Sequence, residues 1–349
     1  MNSKIMSSKQ IGVIGAGSFG TAIANILAEN QKVLLYVRRK EAVNKIQSTR
    51  ISAKQELLEN ITITNSLEEV ALSCEVIFPI VPAANFRAMM KSLSPFLRPY
   101  HILIHGTKGL DVTRNSDGSM PDTLTRDSVK TMSEIIKEES VVVRVGCLAG
   151  PNLARELVAK LPAATVVASH FDEVIDTGVK LLRSDRFQVY GNKDLIGIEL
   201  SGVLKNIIAI ASGVLSGLEY GENARALLIS RGMVEMIHLG TMLGGEVKAF
   251  IGLAGVGDLV ATCTSKLSRN YTVGYRIAKG ETLDEILASM TEVAEGVNTI
   301  KVINKLTNHY KVRAPISDVL YKVLFEDMSA EQASMYLMRY PYNIDINFL

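Results

Sequence analysis

The chain has 349 residues, which at the usual domain size is enough for two domains. Hydrophobic residues make up 47% and charged residues 21%, and the net charge of +2 is too small for binding nucleic acid through bulk charge. Three separated cysteines and five histidines without ligand spacing argue against a disulfide scaffold and a metal site. No apolar run approaches the roughly 18 residues that span a bilayer, so we expect a cytoplasmic protein without a transmembrane segment.

Short apolar strands alternate with helical patterns through the first half of the chain. Strands are predicted at 11–14, 33–37, 61–64, 76–81, 102–105, 141–145, 164–168 and 187–190. Helices are predicted between them at 20–29, 67–72, 85–93, 127–138, 153–159 and 174–182, and a surface loop at 111–121. This alternation indicates an α/β domain with a doubly wound, mostly parallel sheet of the Rossmann type.

From residue 194 onward, helical periodicity replaces the strand signal. Helices are predicted at 194–215, 222–243, 248–263, 269–278, 283–289, 298–306, 316–325 and 330–337, followed by an irregular tail at 341–349. We therefore expect a dinucleotide-binding domain at 1–192 and an all-helical substrate domain at 193–349.

A glycine loop follows the first predicted strand. Gly15, Gly17 and Gly20 form the pattern G-x-G-x-x-G, which opens a helix and is followed by a second strand from Val33. In a unit of this length Gly15 suits the tight turn, Gly17 lets a pyrophosphate approach, and Gly20 brings the helix close to the strand. The pattern predicts a dinucleotide site; the alternative is a glycine-rich turn without a nucleotide.

The residues after the second strand bear on the choice of cofactor. Arg38, Arg39 and Lys40 follow the strand, and no acid precedes Glu41. A carboxylate there would hold the ribose hydroxyl of NAD, whereas arginine can bind the 2′-phosphate of NADP. The turn therefore predicts that NADP is accepted and can be the preferred cofactor; a solvated basic turn is the alternative.

A lysine interrupts an apolar helix of the second half. Lys205 lies in the run 196–210, which is apolar on most faces and therefore predicted to be buried. Burial lowers the pKa of an ammonium group, which suits a side chain that gives and takes a proton. The alternative is a lysine whose stem reaches solvent.

Three further segments are candidates for ligand contacts. Lys108 follows the strand at 102–105, at the end where doubly wound folds bind ligands. Asp258 ends a glycine-rich interruption of an apolar segment. Ser268 can cap a helix that begins with Arg269 and Asn270, an arrangement suited to phosphate. Taken singly, each is equally compatible with an ordinary surface or capping residue.

Together these segments resemble a known family over residues 11–325. The motifs that carry the resemblance are Gly15-Ala16-Gly17-Ser18-Phe19-Gly20-Thr21-Ala22, Thr107-Lys108-Gly109-Leu110, Gly150-Pro151, Lys205-Asn206-Ile207-Ile208-Ala209-Ile210, Asn223-Ala224-Arg225-Ala226, Gly257-Asp258-Leu259, Cys263-Thr264, Ser268-Arg269-Asn270 and Glu295-Gly296. Their order and number are similar to those of the bacterial NAD(P)-dependent sn-glycerol-3-phosphate dehydrogenases.

The resemblance implies reversible reduction of dihydroxyacetone phosphate to sn-glycerol 3-phosphate for glycerophospholipid synthesis, with NADP or NAD as cofactor. It implies that Lys205 is the proton donor and acceptor. The substrate contacts it implies are Lys108, Gly150, Asn152, Lys205, Asp258, Ser268, Arg269 and Asn270. The cofactor contacts, with the glycines and Arg39 included, are Gly15, Gly17, Ser18, Phe19, Gly20, Arg38, Arg39, Lys108, Ala154, Arg269, Val293 and Glu295.

The expected mechanism places substrate contacts in both halves of the chain, with Lys205 giving its proton to the developing alkoxide and Lys108 adding positive charge beside it. Asp258 orients either Lys205 or a substrate hydroxyl. Two positions depart from the family: Asn152 stands where Ser or Thr is common, and Ala83 stands where Ser is common. Either change can alter a polar contact, and neither touches Lys205.

Two other functions stay open at this stage. A different two-domain dehydrogenase of the hydroxyacid type pairs a similar glycine loop with a helical lysine. A non-catalytic regulatory protein that senses NAD(P) would bind the cofactor without turnover, and the proton donor and the phosphate site argue against it. The sequence does not give the oligomeric state, and a homodimer is compatible with it.

Overall fold

The structure is a computed structural model that describes residues 10–290 and 292–341. Its contacts divide the described chain into two compact units. The sheet unit comprises residues up to Thr107 and Met132–Leu195, and the helical unit comprises Lys108–Thr131 and the chain from Ile196 onward. Residues 108–131, which the sequence grouped with the first domain, thus cluster with the helices. The domain limits of 1–192 and 193–349 stay a prediction.

Twelve strands are present in the described chain. They are β1 Gln10–Ile14, β2 Val33–Tyr36, β3 Ile51–Ser52, β4 Gln55–Glu56, β5 Ile61–Thr64, β6 Cys74–Pro79, β7 Ile102–His105, β8 Asp111–Val112, β9 Val129–Lys130, β10 Arg144–Ala149, β11 Ala163–Ser169 and β12 Phe187–Asn192. Eight of them form the main sheet in the order β12-β11-β10-β7-β6-β1-β2-β5. Neighbouring strands of this sheet run parallel except β10 and β11.

Helices cover both faces of this sheet. They are α1 Ser18–Ala28, α2 Lys40–Thr49, α3 Leu67–Ser73, α4 Ala83–Leu93, α5 Met132–Glu139, α6 Ala154–Val158 and α7 Asp172–Leu182. Successive residues of β1 point to opposite faces, so Val13 joins one apolar cluster and Ile14 joins the other. Parallel pairing with β2 and β6 leaves the carboxyl end of β1 at the edge where doubly wound folds bind nucleotides. The predicted doubly wound α/β fold is confirmed.

The helical unit follows from residue 196. Its helices are α8 Leu195–Gly217, α9 Glu222–Met242, α10 Val247–Ile251, α11 Asp258–Thr264, α12 Arg269–Ala278, α13 Leu283–Ser289, α14 Glu295–Tyr310, α15 Pro315–Phe325 and α16 Ala330–Met338. Among the described residues, α8 is long and apolar enough to cross a membrane, but 94% of its most apolar window is buried inside the protein. It is the core helix of this unit, and the predicted all-helical architecture of the second half is confirmed.

Several element predictions were wrong in detail. Helix α2 was not predicted, because only Val43 and Ile46 are buried on it. The helix predicted at 127–138 is a short 3₁₀ turn, strand β9 and α5. The helix predicted at 248–263 is interrupted by a π-helical turn, Leu253–Gly257, where a Cβ on Gly255 would lie 1.8 Å from the carbonyl oxygen of Phe250. Most of the predicted irregular tail lies outside the described residues.

Candidate active site

The glycine loop between β1 and α1 has the form that a pyrophosphate needs. Gly15 has φ +120°, and a Cβ there would lie 2.1 Å from the carbonyl oxygen of Ile80. A Cβ on Gly20 would lie 2.0 Å from the carbonyl oxygen of Gly15. Gly17 instead faces open space and is the N-cap of α1, without a side chain to bond the first amides of that helix. The loop therefore fits the diphosphate of a dinucleotide at the positive end of α1.

Further predicted cofactor residues of the sheet unit lie next to this loop in sequence or after β2. Ser18 and Phe19 are the first residues of α1. Arg38 and Arg39 are exposed and lie between Val37, which follows β2, and α2, of which Arg39 is the N-cap. No carboxylate occupies the two positions after Val37, so this turn fits a phosphate better than a ribose hydroxyl.

The loop after β10 carries three predicted contacts. Gly150 has φ +158°, and Ala154 begins α6. The Asn152 amide nitrogen donates to the carbonyl oxygen of Ala164 at 2.9 Å, and its oxygen accepts from the Thr165 hydroxyl at 2.8 Å. The Asn152 side chain thus ties this loop to β11, which gives it a structural task besides the predicted substrate contact.

A cluster of four polar side chains lies in the core of the helical unit: Lys108, Lys205, Asp258 and Thr262. The Asp258 carboxylate accepts from both lysines, from Lys108 Nζ at 2.6 Å through Oδ2 and from Lys205 Nζ at 3.2 Å through Oδ1. Only 4% of the Asp258 side chain and 5% of the Lys205 side chain are exposed, against 23% for Lys108. We call this the lysine–aspartate cluster.

Thr262 completes the surroundings of the buried lysine. Lys205 Nζ donates a hydrogen bond to Thr262 Oγ1 at 2.6 Å. The Thr262 hydroxyl in turn donates to the backbone carbonyl oxygen of Asp258 at 2.6 Å. Thr262 was not among the predicted site residues. The signal that could have found it is its position four residues after Asp258, which places both side chains on one face of α11.

The environment of Lys205 shifts its proton equilibrium. Burial lowers the pKa of Lys205 from 10.5 to about 8, and the positive charge of Lys108 acts in the same direction. The Asp258 carboxylate opposes both effects and raises the pKa. A lysine with this pKa can be charged or neutral near neutral pH, as a proton donor and acceptor requires.

Hydrogen bonds connect the first turn of α12 to the start of α14 and to the segment before it. Ser268 caps α12 by accepting from the amide of Tyr271. The Asn270 side chain accepts from the amide of Gly296 at 3.0 Å. Arg269 donates to the carbonyl oxygen of Val293 at 3.0 Å, and about half of its side chain stays exposed.

The helical unit therefore brings together a large share of the predicted site. Lys108, Lys205 and Asp258 meet in the lysine–aspartate cluster, and the Arg269 side chain meets Val293, two residues before Glu295. The remaining predicted contacts belong to the sheet unit, in the glycine loop, the basic turn and the loop after β10. Over residues 10–290 and 292–341, no group of three or more His, Cys, Asp or Glu could hold a metal ion.

Comparison with known proteins identifies the family of the chain. The family model for the N-terminus of NAD-dependent glycerol-3-phosphate dehydrogenase matches residues 10–175, and the model for its C-terminus matches residues 194–335. The glycerol-3-phosphate dehydrogenase [NAD(P)+] of Macrococcus caseolyticus is 38% identical over 94% of this chain and 97% of its own length. The chain belongs to this family.

Further relatives of the glycerol-3-phosphate dehydrogenase family support the assignment. The enzyme of the same name from Geobacter sulfurreducens is 39% identical over 95% of this chain and 97% of its own length. The crystal structure of glycerol-3-phosphate dehydrogenase from Coxiella burnetii superposes with a TM-score of 0.85 at 31% identity, covering 95% of this chain and 99% of that one. The resemblance stated from the sequence motifs is thereby confirmed at the level of the family.

Proposed function

We propose that this chain catalyses the reversible, NAD(P)H-dependent reduction of dihydroxyacetone phosphate to sn-glycerol 3-phosphate in the cytoplasm, where the product enters glycerophospholipid synthesis. The lysine–aspartate cluster carries the proposal. A ketone reduction needs a proton for the developing alkoxide, and Lys205, with a pKa of about 8, is buried beside a carboxylate that orients it.

When bound, the nicotinamide cofactor would supply the hydride in the reduction and accept it in the reverse reaction. In the reduction, Lys205 Nζ gives its proton to the carbonyl oxygen of the substrate and becomes a neutral amine. The two carboxylate oxygens of Asp258 each accept from one lysine, so a single carboxylate orients the ammonium groups of Lys205 and Lys108. Lys108, which is the more exposed of the two, stabilises the negative charge that develops on the oxygen.

The phosphate of the substrate is assigned to the first turn of α12. Arg269 offers a partly exposed guanidinium at the N-terminus of that helix, where Ser268 is the cap. A helix N-terminus with an arginine suits a phosphate dianion. Asn270, held by Gly296, fixes this turn against the start of α14.

The cofactor is assigned to the glycine loop and the basic turn of the sheet unit. Gly17 leaves room for the pyrophosphate at the start of α1. Arg38 and Arg39, both exposed, suit the 2′-phosphate of NADP, so we propose that NADPH is used at least as well as NADH.

Initial rates with dihydroxyacetone phosphate and either NADH or NADPH test the proposal. We expect turnover with both cofactors, and little turnover of unphosphorylated dihydroxyacetone, since the anion site would be empty. Equal rates with the unphosphorylated ketone would contradict the assignment of Arg269. Binding of NADPH without turnover of any ketone would favour a sensing protein, and turnover of hydroxyacids alone would favour another dehydrogenase class. Light scattering on the same sample tests whether the chain forms a homodimer, which the sequence leaves open.

A further inference from the structure

Residues 108–131 form an excursion that begins with Lys108 and returns to the sheet unit at α5. The excursion is folded: β8 and β9 pair antiparallel, with Asp111 opposite Lys130 and Val112 opposite Val129. Leu110, Val112, Leu124 and Val129 are buried. Lys108 lies three residues after β7 and three residues before β8, so this two-stranded ribbon restrains the backbone of Lys108 on its C-terminal side.

Arg126 links the ribbon to two helices of the helical unit, to α9 through its side chain and to α14 through its backbone amide. Arg126 Nη1 donates to the carbonyl oxygen of Val129 at 2.7 Å, within β9. Its Nε donates to the carbonyl oxygen of Leu243, the residue that ends α9, at 2.9 Å. Its backbone amide donates to the hydroxyl of Tyr310, the last residue of α14, at 3.0 Å. Arg126 therefore joins β9 to the ends of α9 and α14.

We propose that Arg126 is a positioning residue for the proposed reaction: it fixes the ribbon so that Lys108 stays against Asp258. The proposal rests on the function proposed above. A lysine has a long flexible side chain, and holding its ammonium at 2.6 Å from a carboxylate costs less conformational entropy when its backbone is already fixed. The chain from Arg126 through β9 and β8 fixes the backbone on the C-terminal side of Lys108.

Loss of the Arg126 contacts should change the pKa of Lys205, which an arginine that only stabilised the fold would not affect. The groups that act on the charge of Lys205 are Asp258 and Cys263 from α11 and Lys108 from the excursion. Of these, Lys108 lowers the pKa of Lys205. When Lys108 leaves Asp258, its repulsion is lost and the carboxylate is left to Lys205, so the pKa of Lys205 rises.

The test compares Arg126→Ala with Arg114→Ala in the full-length protein. Arg114 lies in the same excursion and donates to the carbonyl oxygen of Gly118 within its tip, so it is the matched control. We expect Arg126→Ala to lower kcat/KM for dihydroxyacetone phosphate about tenfold or more, since small displacements of a catalytic group are costly. We also expect the alkaline limb of its pH profile to move to higher pH. Arg114→Ala should retain the wild-type rate and profile.

Four further variants keep the test decisive. Lys108→Met should show the same alkaline shift, and adding Arg126→Ala to it should shift the limb no further, because both changes act through one ammonium. Arg126→Lys and Tyr310→Phe, which retain part of the link, replace Arg126→Ala if its thermal unfolding shows a damaged fold; both should shift the limb less, in the same direction. An Arg126→Ala profile equal to that of Arg114→Ala, or additive effects in the double variant, would overturn the proposal. An inactive wild-type protein would instead refute the proposed function.

Discussion

At the residue scale, the buried lysine depends on few partners. Thr262 and Asp258 both accept hydrogen bonds from Lys205, and both come from α11, one helical turn apart. The Thr262 hydroxyl is fixed in turn by the backbone of the same helix. The direction of the Lys205 ammonium is therefore set by one rigid element, which favours a reproducible position for the transferred proton.

Removal of the Thr262 hydroxyl tests this reading. We expect Thr262→Val to lower kcat about tenfold or more, because a hydrogen bond to a charged group contributes about 1.5–3 kcal/mol. Loss of the acceptor also destabilises the ammonium, so the pH profile should move to lower pH, whereas Thr262→Ser should stay near the wild type. Thr264→Val, on the exposed end of the same helix, is the matched control. Equal profiles for Thr262→Val and Thr264→Val would contradict the assigned contact.

The basic turn after β2 gives a second prediction at this scale. In the double variant Arg38→Ala/Arg39→Ala we expect KM for NADPH to rise about tenfold or more and KM for NADH to change little, because only NADPH has the 2′-phosphate that these guanidinium groups can bind. Steady-state kinetics with both cofactors measures this, with Lys32→Ala, an exposed lysine before β2, as control. An equal rise of both KM values would show that the arginines do not discriminate.

At the element scale, the crossing of α8 and α12 positions the first turn of α12. The two helices approach through glycines from both sides. A Cβ on Gly213 would lie 2.0 Å from the carbonyl oxygen of Tyr271, and a Cβ on Gly274 would lie 1.8 Å from that of Ile210. Both obstacles are backbone atoms, so neither can move aside as a side chain could. The helix with Lys205 and the helix that begins with Arg269 are thus held in direct backbone contact.

This crossing predicts the effect of one added methyl group. Gly274→Ala should lower the free energy of unfolding by about 1–3 kcal/mol, the usual cost of overpacking, and displace α12 from α8. Because Arg269 begins α12, KM for dihydroxyacetone phosphate should rise as well. Denaturant unfolding and kinetics measure the two effects. Gly221→Ala is the control, since a Cβ there meets nothing within 4 Å; similar losses in both variants would argue against the tight crossing.

The same elements indicate how much of the fold could be predicted from the sequence. Strands such as β5 and β7 were predicted at their exact bounds, because they are continuous apolar or β-branched runs between turns. The ribbon β8–β9 was not predicted, because its strands have two residues each and depend on burial of Val112 and Val129. The π-helical turn depends on the close approach of Gly255 to the backbone of Phe250. The hydrophobic periodicity of the sequence does not indicate this contact.

At the scale of the whole molecule, the site depends on contacts far apart in sequence. Lys108 and Asp258 are separated by 150 positions, so their pairing follows from the fold and not from any local pattern. The sequence could name Lys108, Lys205 and Asp258 as candidates, since each was unusual in its own segment. It could not decide whether Asp258 orients Lys205, and it could not show that one carboxylate accepts from both lysines.

A second buried ionisable group affects the stability of the whole chain. Glu235 on α9 accepts from the amides of Ile316 and Ser317 and from the Ser317 hydroxyl, at the start of α15. Burial raises the pKa of Glu235 from 4.5 to about 7, with a further contribution in the same direction from Asp318. A carboxyl group with a raised pKa stabilises the fold at low pH, and its contribution is lost as pH rises through about 7.

Glu235→Gln should therefore flatten the fall in melting temperature between pH 5 and pH 7, because the amide does not ionise. It should also melt lower than the wild type at pH 5, since the amide nitrogen of glutamine cannot accept a hydrogen bond, whereas the carboxyl oxygen that it replaces can. Thermal unfolding at both pH values measures the slope, with Glu59→Gln, an exposed position, as control. An unchanged slope in Glu235→Gln would show that Glu235 does not ionise between pH 5 and pH 7.

Unlike Glu235, the lysine–aspartate cluster makes the stability of the fold rise with pH, and it does so in the alkaline range. The folded pKa of Lys205, about 8, lies below its ordinary value of 10.5, so the unfolded chain binds more protons between these values and stability rises with pH there. Near pH 7 the charged lysine is a net cost, chiefly because its ammonium is buried and also because the ammonium of Lys108 repels it. Lys205→Met leaves Asp258 paired with Lys108 at 2.6 Å, so no buried charge loses its partner.

We therefore expect Lys205→Met to be inactive and yet to melt about 2–4 °C above the wild type at pH 7, where removal of an unfavourable charge contributes on the order of 1 kcal/mol. The gain should shrink toward pH 10, where Lys205 of the wild type is neutral. Asp258→Asn should melt lower than the wild type, because it leaves both lysines without their carboxylate. Scanning calorimetry of the three proteins at pH 7 and pH 10 measures these differences. If Lys205→Met melted below the wild type at pH 7, the buried ammonium would be a stabilising group and not one that the fold retains for chemistry.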